Sequence, residues 1–165
     1  IMYNYDLIDH IDTRIKEPKS IIKKMEKKKY KKTYVNLIDK INDVAGLRVV
    51  CTLKDDIFFI KDLIKQIPGV HVLKEKDYVT TPKKSGYTSY HMIVEVPVRL
   101  TQKTINVKCE IQIRTLAMDF WASFEHKIKY KTDKEVSKKT SKELVTCAKM
   151  INRFDEKMTK VNNLQ

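Results

Sequence analysis

Apolar and polar residues alternate most regularly in TINVKCEIQIRT, residues 104–115. A strand with a side-chain period of two places one set on its apolar face: Ile105, Val107, Cys109, Ile111 and Ile113. The opposite face then holds Lys108, Glu110, Gln112 and Arg114. The pattern predicts a strand buried on one side. A merely solvated face would tolerate the same polar set, so this face alone does not indicate a site.

Similar alternation predicts strands in GLRVVCTL, near HVLKEKDYV and in SYHMIVEV. In GLRVVCTL, the core face holds Leu47, Val49, Cys51 and Leu53, while Arg48 points the other way. The polar face of SYHMIVEV holds Ser89, His91 and Glu95.

Helical spacing of apolar residues predicts four helices and a further C-terminal helical region. Pro18 begins the first, the second breaks near Asp43, and the third starts at Asp55 or Asp56 and stops at Pro68. The last begins near Lys134. The residues predicted to face inward are Ile21, Ile22 and Met25, then Ile57, Ile60, Ile64 and Ile67, then Leu116, Phe120 and Phe124, and finally Leu144, Ala148, Ile151 and Met158.

The order of these elements predicts an α+β (mixed α/β) fold in which helices pack on a mixed sheet. With 165 residues, the chain suits a single domain. We expect a catalytic unit over residues 1–131 and a C-terminal helical extension over 132–165 that packs on its own domain or on another subunit.

The net charge of +13 predicts a partner rich in negative charge, such as a nucleotide, nucleic acid or an anionic membrane surface. The apolar runs are too short to cross a bilayer. Cys51, Cys109 and Cys147 form no CxxC pair, so we expect reduced core cysteines. The lack of a signal-like start predicts a cytoplasmic location. Because the first residue is Ile1, a preceding helix or domain is also expected.

The segment RIKEPKSIIKK spaces Lys16, Ser20 and Lys24 by four residues around a helix start. Free backbone N–H groups, a hydroxyl and two ammonium groups would converge there, as a polyphosphate requires. A solvated basic helix is the alternative, because the G-x-x-x-x-G-K-[ST] loop is absent.

Two carboxylates are candidates for Mg²⁺, Asp43 before one strand and Glu110 on the polar face of another. Glu110 could also take a proton from an attacking hydroxyl. Asp43 has a simpler alternative role as a turn or cap residue.

The segment KKSGYTSYH combines cations, a glycine, an aromatic and a histidine. Tyr87 could stack on a nucleobase for roughly 1–3 kcal/mol, and His91 could contact phosphates. The alternative is a hairpin loop with a packed tyrosine and a hydrogen-bonded histidine. Glu125 and His126 could form a surface pair. No Cys/His metal spacing and no Ser, His and Asp triad order is found.

Taken in order, RIKEPKSIIKK, NDVAGLRVVC, KDYVTTPKKSGYTSYH and EIQIRTLAMDFWASFEHKIKYK resemble the synthetase domain of the RelA/SpoT homologue family, and most closely its small alarmone synthetases. This resemblance implies a nucleotidyltransferase-like fold. It also implies a pyrophosphokinase of the stringent response that moves the β,γ-diphosphate of ATP onto the 3′-hydroxyl of GDP or GTP. The products would be AMP and ppGpp or pppGpp.

By motif, the resemblance implies roles for individual residues. Glu110, Gln112 and Asp43 would be catalytic, with Mg²⁺ on Asp43 and Glu110. ATP would be bound by Arg14, Lys16, Ser20, Lys24, Lys27 and Arg48, the two arginines enclosing adenine. GDP or GTP would be bound by Lys83, Ser85, Tyr87, His91, Asp119 and Glu125.

One position departs from relatives, because Asp119 stands where an asparagine is frequent. Asp lacks the amide donor, so acceptor choice is open. An alternative is the same chemistry on the 3′ end of tRNA or on adenine nucleotides. The net charge of +13 is compatible with such an RNA contact. A non-catalytic nucleotide- or RNA-binding regulator is another alternative. The resemblance further implies a homo-oligomer, as a tetramer.

Overall fold

The structure, a computed structural model, describes residues 6–131 and 136–164, with only the backbone described at residues 130 and 131. Ten elements succeed one another along the chain: β1 Ile8–Ile15, α1 Pro18–Lys27, α2 Tyr34–Lys40, β2 Ala45–Cys51, α3 Lys54–Gln66, β3 His71–Asp77, β4 Tyr90–Arg99, β5 Thr104–Thr115, α4 Leu116–Lys131 and α5 Lys138–Asn162.

The five strands form one mixed sheet in the order β1-β2-β5-β4-β3. Only the central β2–β5 pair is parallel, and the other neighbours are antiparallel. The long strand predicted from residues 104–115 is therefore the middle strand. Its residues gain hydrogen-bonded neighbours on both sides, which holds its polar face in a fixed register.

One face of the sheet is covered by α3. Ile57, Ile60 and Ile64 recur at helical spacing and are buried against apolar strand residues, among them Ile111 and Ile113. The carboxylate of Asp56 accepts a hydrogen bond from the backbone N–H of Leu53 and so fixes the first turn of α3. Burial of this apolar face is what orients the polar side chains of β5 towards the opposite face.

The helices α4 and α5 form a second core. Trp121 and Ala122 from α4 pack against Leu144 and Ala148 from α5. The indole Nε1–H of Trp121 also donates to the backbone oxygen of Leu144 at 2.9 Å. The C-terminal helix is thus fastened to the helix that comes after the central strand.

The predicted orientation of α4 is wrong. Leu116, Phe120 and Phe124 are exposed, Phe120 to 69%, whereas Met118, Trp121 and Ala122 are buried. The helix begins directly after β5, and the hydroxyl of Thr115 accepts a hydrogen bond from the N–H of Met118. This cap sets the rotation of α4, and the apolar spacing 116, 120, 124 consequently lies on its outer side.

Several other core assignments also change. Ile22, Ile67 and Met158 are exposed, and Cys147 is exposed while Cys51 is buried. Leu53 is buried as predicted, although it follows the end of β2 and is the N-cap of α3. The predicted start of the last helix near Lys134 lies outside the described residues. The edge strand β1 was not predicted, because its isoleucines at 8, 11 and 15 have helical spacing and all eight of its residues are exposed. Within the described chain, no helix has the length and apolarity that a membrane span needs.

Candidate active site

Strand pairing brings the candidate residues onto one face of the sheet. Gly46 pairs with Arg14 on one side and with Glu110 on the other. In the next row, Arg48 pairs with Gln112, which in turn pairs with His91. Paired positions point to the same side of a sheet, so four strands contribute to one polar surface.

A cavity of about 520 Å³ lies over this surface, between the sheet and α4. It is of the size that binds small molecules. Six of the predicted site residues line it: Arg14, Arg48, Tyr87, Glu110, Gln112 and Glu125.

Gly46 leaves room for Arg14. A Cβ atom at position 46 would lie 3.3 Å from the Cγ atom of Arg14 and 3.5 Å from its Nε atom. The glycine therefore lets the arginine side chain lie close against β2 beside the cavity.

A compact ionic cluster surrounds Asp43, just before β2. Its Oδ2 atom lies 2.7 Å from the Nζ atom of Lys24 and 3.0 Å from that of Lys16. Burial favours the neutral acid, yet the hydrogen bonds from the two lysines prevail and lower the pKa of Asp43. The predicted convergence of Lys16 and Lys24 is therefore present, with the carboxylate between them.

Glu110 is held as an anion at the centre of the sheet. Its Oε1 atom lies 3.4 Å from Nδ1 of His91, and its Oε2 atom accepts from Nε2 of Gln112 at 3.1 Å. The hydrogen bond from His91 is the largest cause of its lowered pKa, while burial and the charge of Asp43 act in the opposite direction. A carboxylate kept ionised in this way can bind a cation or accept a proton.

The loop between β3 and β4 carries Tyr87 to the edge of the cavity. The hydroxyl of Tyr87 is 2.8 Å from Nε2 of His91, and the Nζ atom of Lys83 lies 4.6 Å from the centre of its ring. Burial raises the pKa of Tyr87. The tyrosine and histidine of the KKSGYTSYH segment thus touch each other within the site.

Arg114 is the residue that the sequence pattern placed on the polar face without a role. It is 5% exposed and donates to four side chains, at 2.7 Å to the hydroxyl of Tyr87, at 3.1 Å to Asp119, at 2.5 Å to Oε1 of Gln112 and at 3.4 Å to the hydroxyl of Ser89. This one guanidinium connects β5, α4 and the loop between β3 and β4 that carries Tyr87 (residues 78–89), which we call the tyrosine loop. No feature of the alternation distinguishes it from an exposed arginine.

Asp119 lies between two guanidinium groups. Besides accepting from Arg114, its Oδ1 atom lies 3.4 Å from the Nε atom of Arg48. Arg48 is also 3.4 Å from Asp12. Both contacts are to Oδ1, so this oxygen could reach a guanine edge only by exchanging one of these partners.

Other predicted residues have a looser relation to the cavity. Ser20 and Lys27 are exposed on α1, and Ser85 is exposed in the tyrosine loop. Glu125 accepts a hydrogen bond from Lys129 at 2.6 Å, so its nearest cation is on its own helix. The cavity is also lined by residues outside the predicted nucleotide-binding set, namely Asp12, Thr13, His126 and Lys127.

Comparison with known proteins agrees with this geometry. The family model described as "Region found in RelA / SpoT proteins" matches residues 13–135. The chain is 42% identical to GTP pyrophosphokinase YwaC of Bacillus subtilis over 96% of its own length and 75% of the relative, and 35% identical to GTP pyrophosphokinase YjbM of the same organism over 93% and 72%.

Solved structures agree as well. Small alarmone synthetase 2 from Bacillus subtilis superposes with a TM-score of 0.90 at 41% identity, over 98% of this chain and 84% of that one. Small alarmone synthetase 1, crystallised with its product pppGpp, gives 0.87 at 34% identity, over 94% and 79%. The predicted fold class is thereby confirmed, and the chain belongs to the RelA/SpoT family.

Proposed function

We propose that this chain is a GTP pyrophosphokinase that transfers the β,γ-diphosphate of ATP to the 3′-hydroxyl of GDP or GTP, forming ppGpp or pppGpp and AMP. The observation that supports this best is the placement of the ionised Glu110 carboxylate, which contacts His91 and Gln112, on the wall of a cavity large enough for nucleotides. The relatives named GTP pyrophosphokinases, and the small alarmone synthetase 1 structures bound to pppGpp and to AMPCPP, support the same chemistry.

The donor is proposed to lie on the β1–β2 side of the site. Arg14 and Arg48 come from neighbouring strands and line the same cavity, so their guanidinium planes can enclose adenine. Lys16 and Lys24 would hold the phosphates of ATP, with Ser20 and Lys27 of α1 adding contacts at the outer end.

The residues present fit Mg²⁺. The Oδ1 atom of Asp43 is buried and has no hydrogen-bond partner in the described structure, and Glu110 is close enough that the charge of Asp43 raises its pKa. No group of three or more candidate ligands occurs within the described residues. Mg²⁺ commonly takes one or two carboxylates plus phosphate oxygens, which suits this pair. When bound, the ion would neutralise charge on the transferred phosphates.

The acceptor is proposed to lie on the β4 side. Tyr87 would stack on guanine, while Lys83, Ser85 and His91 hold the phosphates and Glu125 completes the pocket. Asp119 would act there through Arg114, because Arg114 donates hydrogen bonds to Asp119 and also to Tyr87 and Gln112. Gln112 would place the acceptor ribose beside Glu110.

The proposed reaction is an in-line displacement at the β-phosphorus of ATP. A bond forms between the 3′-oxygen of the acceptor and the β-phosphorus, and the bond from that phosphorus to the oxygen bridging to the α-phosphorus breaks. AMP leaves with the bonding electrons, and Glu110 accepts the proton of the 3′-hydroxyl. Positioning and charge neutralisation supply most of the rate in such reactions.

The test is transfer from labelled ATP in the presence of Mg²⁺ with GDP, GTP, GMP, no added acceptor, or deacylated tRNA. We expect labelled guanine nucleotide, and a loss of about 10²–10⁴ in kcat for Glu110→Gln, the usual contribution of a general base. Glu95→Gln is the matched control, since Glu95 lies on β4 and bonds to Asn106 at 3.4 Å away from the cavity lining.

Transfer to a different acceptor, or no transfer at all, would contradict this proposal. Label on tRNA, or on ATP without an added acceptor, would assign the same chemistry to RNA or to adenine nucleotides. Nucleotide binding with no transfer to any acceptor would indicate a regulator that retains the scaffold.

The proposed assembly is a homo-oligomer, as a tetramer. Its support in this chain is an apolar stripe on the outer side of α4, formed by Leu116, Phe120 and Phe124, with the two phenyl rings stacked at 6.3 Å. Exposed Met150 and Phe154 on α5 extend the apolar surface of the C-terminal helices. Such a surface is larger than scattered single residues and suits a second copy of the chain.

A further inference from the structure

A second groove lies behind the tyrosine loop, on the side away from the sheet. It has a volume of about 450 Å³ and separates residues 82–88 from α5. Lys83 and Lys84 line it from the loop, and Lys149 and Arg153 line it from the helix. We refer to it as the loop–helix groove.

The charge of this groove is not balanced. Lys84, Lys149 and Arg153 form no ion pair with a carboxylate of residues 6–131 or 136–164. The ammonium group of Lys83 lies over the rings of Tyr78 and Tyr87, at 4.5 and 4.6 Å from their centres, and is assigned to the acceptor site. The acid that lines it, Glu156, is 3.3 Å from the Nζ atom of Lys54 and accepts from Asn152 at 3.0 Å. Glu156 therefore already has a cationic partner outside the groove, Lys54, and the remaining charge is positive on both walls.

The walls of the groove are in close contact at one end. Gly86 has φ +89°, and a Cβ atom there would lie 2.5 Å from the Cβ atom of Ala148. Hydrogen bonds from the N–H of Gly86 to Lys83 and from the N–H of Lys83 to Tyr87, at 2.8 and 3.0 Å, close the loop. Only a glycine can occupy this position, so the loop rests directly on α5.

We propose that the loop–helix groove binds an oligophosphate, either free or as the 5′-phosphate tail of a nucleotide, and that this ligand bridges the loop to α5. Ammonium and guanidinium groups on two facing walls match a chain of phosphates. The volume suits a small molecule, whereas the bounded shape lacks the extended basic track along which a nucleic acid strand binds.

Occupancy of the groove would act on the acceptor site. The loop that forms one wall also carries Tyr87, so a ligand that joins loop and helix favours the docked position of that tyrosine. The two binding events are thermodynamically linked. If the groove ligand strengthens acceptor binding by a certain factor, the acceptor must strengthen binding of the groove ligand by the same factor. This consequence rests on the proposed function, whereas groove binding itself does not.

Trp121 provides the signal for the test. It is the only tryptophan, it is buried, and its Cζ2 atom would lie 3.6 Å from a Cβ atom at Gly86. Inorganic triphosphate is titrated in magnesium-free buffer while Trp121 fluorescence is monitored. CTP, titrated in parallel, distinguishes a nucleotide tail from the free anion. All titrations use protein that carries Lys16→Gln and Lys24→Gln, because this background lacks the lysines proposed to bind the donor phosphates.

In that background we expect a saturable fluorescence change. Adding Lys149→Gln and Arg153→Gln should weaken binding at least about tenfold, since two charge-assisted contacts are lost. Lys142→Gln with Lys157→Gln is the matched control, because it removes the same charge from exposed positions on α5 outside the groove. The control should change binding by less than about twofold, a weak effect of distant screened charge.

Equal affinity in the groove variant and the control would overturn the proposal. A response to single-stranded RNA with none to triphosphate would overturn it too, in favour of a nucleic-acid surface. Protein that carries only Lys149→Gln and Arg153→Gln, with Lys16 and Lys24 intact, should still transfer pyrophosphate in the absence of triphosphate. A failure of transfer in the unaltered chain would contradict the proposed function while leaving the binding result intact.

Discussion

Arg114 shows at the scale of single residues how the site is held. A buried guanidinium is costly unless its donors are satisfied, and here Tyr87, Gln112, Asp119 and Ser89 accept from it. The fork geometry of arginine reaches all four at once, which a lysine ammonium on a flexible stem does not reproduce. Arg114 is thus a positioning residue for the tyrosine loop.

We expect Arg114→Lys to raise the KM for GDP or GTP by about tenfold or more, through the loss of a charge-assisted hydrogen bond to Tyr87. The KM for ATP should change much less. Steady-state kinetics with each substrate varied in turn would measure the two constants. Lys127→Arg, a change between cations on the cavity wall, is the control. Equal increases in both KM values would indicate general damage instead.

Sequence patterns predict individual residues of this site unevenly. The period of two correctly places Glu110 and Gln112 on the polar face, because the core side of β5 is strongly apolar. The same period cannot tell that Arg114 is covered by α4, since coverage depends on where the next helix packs. Likewise, the lysines around Asp43 are predicted by helical spacing, but their carboxylate partner is 27 residues away from Lys16.

At the scale of elements, the end of β5 determines how the two C-terminal helices are placed. Thr115 caps α4 through its hydroxyl oxygen and donates the hydroxyl hydrogen to Asp155 of α5 at 2.8 Å. One side chain therefore sets the rotation of one helix and fastens another. The apolar spacing of α4 predicted its helix correctly and its buried side wrongly, because propensity and period contain no information about this cap.

The Asp155 contact predicts a pH-dependent stability. Burial raises the pKa of Asp155, and Thr115 only partly offsets this. For an acid whose folded pKa is raised, the favourable contribution is complete below the unfolded pKa and is lost as pH rises through the folded pKa. Asp155→Asn keeps the oxygen that accepts from Thr115 and removes the titration.

We therefore expect Asp155→Asn to gain in free energy of unfolding relative to the unaltered protein as pH rises from about 4 to 8. Urea denaturation at several pH values would measure the difference. Asp39→Asn, at an exposed carboxylate on α2, should show little such trend. A difference that stays constant with pH would mean that folding does not raise the pKa of Asp155.

At the scale of the whole molecule, the sequence predicted four of the five strands and the helices, but not how much apolar surface stays exposed. The stripe formed by Leu116, Phe120 and Phe124 was expected in the core and is exposed. Residue patterns distinguish apolar from polar positions, yet they do not separate a core from an interface between subunits, because both need the same side chains.

If the stripe joins subunits, Phe120→Glu should shift the protein to a smaller species, because it places a charge in an apolar contact. Light scattering at micromolar concentration would measure the mass. Tyr34→Glu changes an even more exposed aromatic residue on α2 and should leave the mass unaltered. A monomeric unaltered protein would contradict the assembly, and an unchanged mass for Phe120→Glu would exclude α4 from the contact.

The contacts of Lys16 and Lys24 with Asp43 bear on whether the proposed donor, ATP, binds with or without a divalent cation. If Lys16 and Lys24 hold the donor phosphates as proposed, the two ammonium groups already have a counter-ion before ATP arrives, and bare ATP would have to compete with Asp43 for them. A nucleotide that brings its own divalent cation would offer Asp43 a new partner when the phosphates take over the lysines. Metal-free nucleotide would then bind more weakly, because it would have to break these salt bridges without replacing the partner of Asp43.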